Sequence, residues 1–270
     1  MSAKQRLSRR SISVLRNLRT LAYLTLAPLD YVSRSINGKA DFPPLHLRRH
    51  VGPLRTFEAS GAEFMTYLRL LLDLQPNERV LDIGCGCGLM ALQLKDYLDS
   101  NGAYAGVDIH GPSISWCTNH ITTAHPNFRF ARISDGELPY EAHSFDLILL
   151  KSIFTHLRPA EVENYLSEIE RLLKPDGRCL ASFFLLNHEQ KALAAKGANA
   201  LQFNFGDDRW RYVYEHSPES ASAFDENYIL DLITKHNLEL REPIRYGTWT
   251  GRKNGLSFQD LLQIQPRNRA

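Results

Sequence analysis

Between Arg79 and Gly88 the chain reads Arg-Val-Leu-Asp-Ile-Gly-Cys-Gly-Cys-Gly, with Asp82 inside a short apolar run and glycines at 84, 86 and 88. Residues without a Cβ at alternate positions let a ligand lie against backbone N–H groups at the start of the helix-like run Leu89 to Leu98. Asp108 closes a second apolar run, Ala103 to Val107, 20 residues after Gly88. A carboxylate at that offset accepts both hydroxyl protons of a ribose. The same residue could instead cap a helix opening at Pro112-Ser113.

Glycine turns after a first strand serve several ligands. The dinucleotide fingerprint G-x-G-x-x-G packs helix on strand through its third glycine, and Leu89 stands at that position. A nicotinamide enzyme is therefore disfavoured. A phosphate loop needs Gly-Lys-Ser/Thr, which does not follow Gly88. Arg79–Gly88 resembles instead the first motif, hhDhGxGxG, of the class I S-adenosylmethionine (SAM)-dependent methyltransferases. Ser134-Asp135-Gly136-Glu137-Leu138-Pro139, the Ser144-Phe145-Asp146 step and Arg171-Leu172-Leu173-Lys174-Pro175-Asp176-Gly177 resemble later landmarks of that superfamily, with Asp176 inserted in the last. The resemblance covers roughly residues 76–186.

It implies a role for each matched residue. Asp82 would orient the turn and the methionine amino group. Gly84, Cys85 and Gly86 would let the methionine portion approach. Asp108 would hold the ribose, Ile109 and Asp135 the adenine, with the Gly136 backbone alongside. Lys151, ending strand four, would lie next to the methionine end. Asp135 could equally be a solvated turn acid. A wider pattern, Pro28-Leu29-Asp30, Pro43-Pro44, Tyr246-Gly247-Thr248-Trp249 and Gln259-Asp260, is similar to uncharacterised bacterial methyltransferases of small-molecule or glycan type.

The elements that position these residues alternate along the chain. The pattern predicts strands at 79–83, 103–108, 128–133, 146–151 and 178–185, separated by helices at 89–98, 113–124 and 160–173. Ser60 to Glu63 has capping-box spacing for a helix running to Leu74. Asp225 should cap a helix at 226–236. An antiparallel pair, 238–246 with 256–264, should end the chain, with a hairpin of alternating aromatics at 203–214 and a short helix near Lys191. The expected fold is α/β, doubly wound, with a mostly parallel seven-stranded sheet and an antiparallel last strand, plus an N-terminal helical extension. We read residues 1–59 as a basic amphipathic extension and linker, and 60–270 as the methyltransferase domain with a substrate-recognition insert around 187–224.

Charge is uneven. The 270 residues carry a net +2, yet residues 1–60 hold eleven Lys/Arg against three acids, a net of +8, and the remainder −6. No apolar run reaches the roughly 18 residues needed to span a bilayer. On a helical wheel Leu7, Val14, Leu15, Leu18, Leu21, Ala22 and Leu29 share one face, and Arg6, Arg9, Arg10, Arg16 and Arg19 the other. Such a helix suits a membrane interface. It could also pack on the catalytic domain, or serve as a targeting peptide, since residues 1–29 lack any acid. A cytoplasmic protein, peripheral at a membrane through residues 1–36, is the expectation. The four cysteines, 85, 87, 117 and 179, lack zinc spacing and read as free thiols, with no metal expected.

The acceptor is the least determined part. No Asn/Asp-Pro-Pro-aromatic motif appears, and the catalytic part is acidic, so nucleic acid is not expected. A small-molecule, glycan or lipid-linked acceptor remains, methylated at oxygen by in-line displacement. His156, just past strand four, is the candidate general base, although a helix-capping role serves it equally. The alternative function is a catalytically silent SAM-binding module that docks partners.

Overall fold

In the computed structural model, residues 22–52, 54–134, 138–195 and 201–267 are described. They fall into two compact units divided between residues 135 and 136.

The first unit opens with helices α1 (Ala27–Ile36) and α2 (Leu45–Arg48), then α3 (Phe57–Leu70). Helix α3 starts three residues before the predicted capping box. Phe57 is buried in its first turn, and burying that ring outweighs the cap that Ser60 could have supplied. There follow β1 (Arg79–Ile83), α4 (Leu89–Leu94), β2 (Ala103–Asp108), α5 (Gly111–Cys117) and β3 (Phe128–Arg132). Strands β1, β2 and β3 pair in parallel, Asp82 opposite Gly106 and Asp108 opposite Arg132. Helices α4 and α5 are shorter than the apolar pattern suggested, and a π-turn, Thr118–Thr122, continues α5.

The second unit holds β4 (Phe145–Leu150), α6 (Pro159–Leu172), β5 (Leu173–Phe183), β6 (Leu185–Leu186), α7 (His188–Ala195), β7 (Phe205–Gly206), β8 (Trp210–Tyr212), β9 (Ser222–Asp225), α8 (Glu226–Lys235), β10 (Leu238–Leu240) and β11 (Asp260–Pro266). Proline at the first position of α6 needs no amide partner there, and the Glu161 carboxylate accepts from the Arg158 N–H at 2.6 Å. The Asp225 carboxylate caps α8 as expected, accepting from the Asn227 and Tyr228 amides. Strand β5 begins five residues earlier than predicted. Leu173 pairs with Phe145 and Arg178 with Leu147, so Lys174 to Gly177 is bulged out of an otherwise continuous ladder.

The main sheet has seven strands in the order β10-β11-β5-β4-β1-β2-β3. It is mostly parallel, with β11 antiparallel to both β5 and β10. A second sheet, β6-β9-β8-β7, is absent from the sequence reading beyond the β7–β8 hairpin. Its other strands, two and four residues long, are too short for an alternation to register.

Candidate cofactor site

In the first unit, β1 runs out into glycines at φ 78, 54 and 82 for Gly84, Gly86 and Gly88. Side chains rarely adopt these angles. At Gly88 there is also no room, since a Cβ would meet Ile121 Cδ1 at 2.9 Å. The amides of this turn work inward. Gly84 and Cys85 donate to the Val107 carbonyl at 2.7 and 3.0 Å, Gly88 to Cys85 at 3.0 Å, and Gly86 to Asp108 Oδ2 at 2.8 Å. These four amides are engaged within the fold. They lock the turn, and the glycines contribute close backbone approach.

Asp108 ends β2 beside this turn. One carboxylate oxygen accepts from Gly86 N and the other from His110 N at 2.7 Å. Each oxygen keeps further lone-pair capacity, so both remain able to accept from a vicinal diol. Ile109, next to it, is 64% exposed. Asp82 is buried and accepts from the Tyr104 hydroxyl at 2.6 Å. Asp135 and Gly136 lie outside the described residues. Cys85, Cys87, Cys117 and Cys179 are buried free thiols. Burial pushes the Cys87 thiol up to about 12 and those of Cys85, Cys117 and Cys179 upward as well, so all stay protonated at neutral pH.

Sequence reasoning passed over the segment just before α3. Val51 Cγ2 lies where a Cβ on Gly86 would approach to 2.8 Å. The His50 ring packs on the His110 ring with centroids 4.7 Å apart. Neither contact carries a sequence signal, because both residues sit in an irregular stretch.

In the second unit, Lys151 is half-buried at the end of β4. The next residue, Ser152, has φ 59 without being glycine. Its amide donates to Ser182 Oγ at 2.8 Å, and its hydroxyl to Gln259 Oε1 at 2.9 Å, which also accepts from Ser182 Oγ at 2.7 Å. These bonds hold a backbone angle that would otherwise cost on the order of 1 kcal/mol or more. His156 is exposed, and its Nδ1 lies 2.8 Å from the Glu219 carbonyl. A carbonyl accepts only, so Nδ1 carries the proton and Nε2 is left as the acceptor.

Beyond β5, Asp260 is fully buried and takes four N–H donors: Leu185 and Gly247 from the backbone, Trp249 Nε1 and Gln190 Nε2. Phe184, Phe203 and Trp249 cluster edge to face nearby, with the half-exposed Phe258 against Phe184.

Residues 80–177 match the family described as methyltransferase domain. That match supports a place for this segment in the class I S-adenosylmethionine-dependent methyltransferase superfamily. The chain is 32% identical over 130 residues to nocamycin O-methyltransferase of Saccharothrix syringae, covering 45% of either protein. It is 29% identical over 207 residues to a ubiquinone biosynthesis O-methyltransferase of Cereibacter sphaeroides, covering 75% of this chain and 76% of that protein. It thus spans less than half the length of the nocamycin relative. Among solved structures, the 1,6-didemethyltoxoflavin-N1-methyltransferase of Burkholderia thailandensis, with bound 1,6-didemethyltoxoflavin and S-adenosylhomocysteine, superposes with TM-score 0.55 at 20% identity, over 92% of this chain and 91% of that one. That likeness is one of fold. The glycine turn and the two-oxygen acceptor at Asp108 fit the sugar and amino-acid ends of the superfamily's donor, SAM.

Proposed function

We propose that this chain is a methyltransferase that uses SAM to methylate an oxygen of a small-molecule acceptor. The observation that carries the reading is the pairing of a glycine turn with Asp108, whose two oxygens are fixed by the Gly86 and His110 amides. When bound, SAM supplies a methyl carbon already activated by the sulfonium. The protein must bind it, align a nucleophile and exclude water.

In this reading Asp108 holds the ribose, and Ile109, Asp135 and Gly136 meet the adenine. Gly84, Cys85 and Gly86 border the methionine portion, with Asp82 and Lys151 contributing to its position. His156 is the base, because its Nε2 is free of the Glu219 contact that fixes its tautomer. The names of the nocamycin and ubiquinone relatives support oxygen as the acceptor atom.

The N-terminal part supports a peripheral contact with an anionic membrane by a cytoplasmic protein. Helix α1 turns Ala27, Asp30 and Arg34 toward the protein and leaves Leu29, Val32 and Ile36 69%, 52% and 79% exposed on one stripe. The sequence before it carries Lys4, Arg6, Arg9, Arg10, Arg16 and Arg19 without an acid. No helix among the described residues is long and apolar enough to cross a membrane.

The test is incubation with methyl-labelled SAM and cell extract, followed by identification of the labelled product. Label in a small-molecule ether or ester supports the reading. Binding of the donor without any transfer would leave a docking module in its place.

A further inference from the structure

We infer that the segment 45–52 is part of the cofactor site, with His50 and Val51 covering the bound donor and Asp30 as the residue that positions them. This rests on the SAM reading above. The two groups that reading places against the donor are the Gly86 turn and the Asp108 end of β2. The segment touches both neighbourhoods: Val51 packs against Gly86, and the His50 ring lies on His110, whose amide is bonded to Asp108. Two consecutive residues thus bridge the ribose-holding carboxylate and the glycine turn. A ligand reaching from Asp108 to the glycine turn runs alongside His50 and Val51, which wall it on this side. Walling the ligand there would keep water from its hydrogen bonds to Asp108, which would strengthen them.

The segment is held by one buried carboxylate. Asp30 accepts from Arg34 Nε at 2.9 Å, from Arg48 Nη2, and from the Leu45 amide at 3.1 Å. Its side chain is only 10% exposed, as is that of Arg34. Arg34 in turn donates to the Ala40 and Phe42 carbonyls, and Phe42 packs edge-on against Phe57 of α3. Asp30 therefore fixes both the start and the end of α2, two residues short of His50. Charge-assisted bonds of this kind are the stronger class. Losing the carboxylate leaves Arg48 and the Leu45 amide without it and frees the segment to swing from Gly86.

The experiment is calorimetric titration of the full chain with S-adenosylhomocysteine, joined to hydrogen exchange over residues 45–52. The wild-type chain should bind, and binding should slow exchange in this segment. Both His50→Ala, at an exposed side chain, and Asp30→Ala should raise Kd at least tenfold, with circular dichroism showing a folded chain. In Asp30→Ala the ligand should no longer protect 45–52, a readout that a merely structural role for Asp30 would not move. If wild type binds while His50→Ala binds within twofold of it, or exchange at 45–52 ignores the ligand, the inference is wrong and the SAM reading stands. If wild type itself gives no heat, the SAM reading falls and the inference with it.

Discussion

The Gly86 amide donates to Asp108 Oδ2 at 2.8 Å, tying the turn after β1 to the last residue of β2. One bond thus sets the glycine backbone and the carboxylate in fixed register. Asp108→Ala removes both the proposed ribose acceptor and this tie. S-adenosylhomocysteine affinity should drop by roughly 100-fold or more, the loss of two charge-assisted hydrogen bonds at about 1.5–3 kcal/mol each. Asp108→Asn keeps one acceptor oxygen and should retain an intermediate affinity. Calorimetry reads both, and wild-type affinity in Asp108→Ala would remove this residue from the site.

Gly86→Ala tests the cost of the turn itself. The new Cβ would sit at φ 54 and within 2.8 Å of Val51 Cγ2. Strain and overpacking together should cost about 1–3 kcal/mol. The urea midpoint should fall, and Val51→Ala in the same chain should recover part of the loss.

Ser152 separates strain from bonding. Ser152→Gly relieves the positive φ while giving up the hydroxyl bond to Gln259, so its stability should stay within about 1 kcal/mol of wild type. Ser152→Ala keeps the strain and loses the bond, and should be the less stable of the two. The reverse order in denaturant titration would mean that the φ 59 angle carries no strain.

Asp260 gives a pH signature. Burial pushes its carboxyl up to about 6, against the pull of the Gly247 and Leu185 amides and the Trp249 indole. Its folded pKa lies above its unfolded one, so the folded chain binds this proton more tightly. The associated stability is complete below the unfolded pKa and is lost as pH rises through about 6. It is on the order of 3 kcal/mol. Asp260→Asn should abolish this part of the stability difference between pH 4 and pH 7, measured by urea unfolding at each.

The outer stripe of α1 should not matter to folding. Leu29→Glu with Ile36→Glu changes two exposed positions, so the unfolding midpoint should hold within about 0.5 kcal/mol. Recovery on liposomes of anionic lipid should fall sharply, while S-adenosylhomocysteine affinity is kept. Unchanged liposome recovery would make the membrane contact wrong.

The sequence by itself determined the βαβ frame. Strand and helix periods differ, and the glycines at 84, 86 and 88 admit few backbones other than the turn observed. That Asp108 would end the second strand beside the turn was legible for the same reason, since its distance from the turn is a property of one βαβ unit. The cap at Asp225 was legible because capping is local. Tertiary structure alone decided where the turn's amides point, because their acceptors, the Val107 carbonyl and Asp108, lie one strand away. It alone joined Ser152 to Gln259 across 107 positions and brought Val51 onto Gly86 across 35. Such contacts are selected by the packing of surfaces far apart in the chain, and no local residue pattern encodes them.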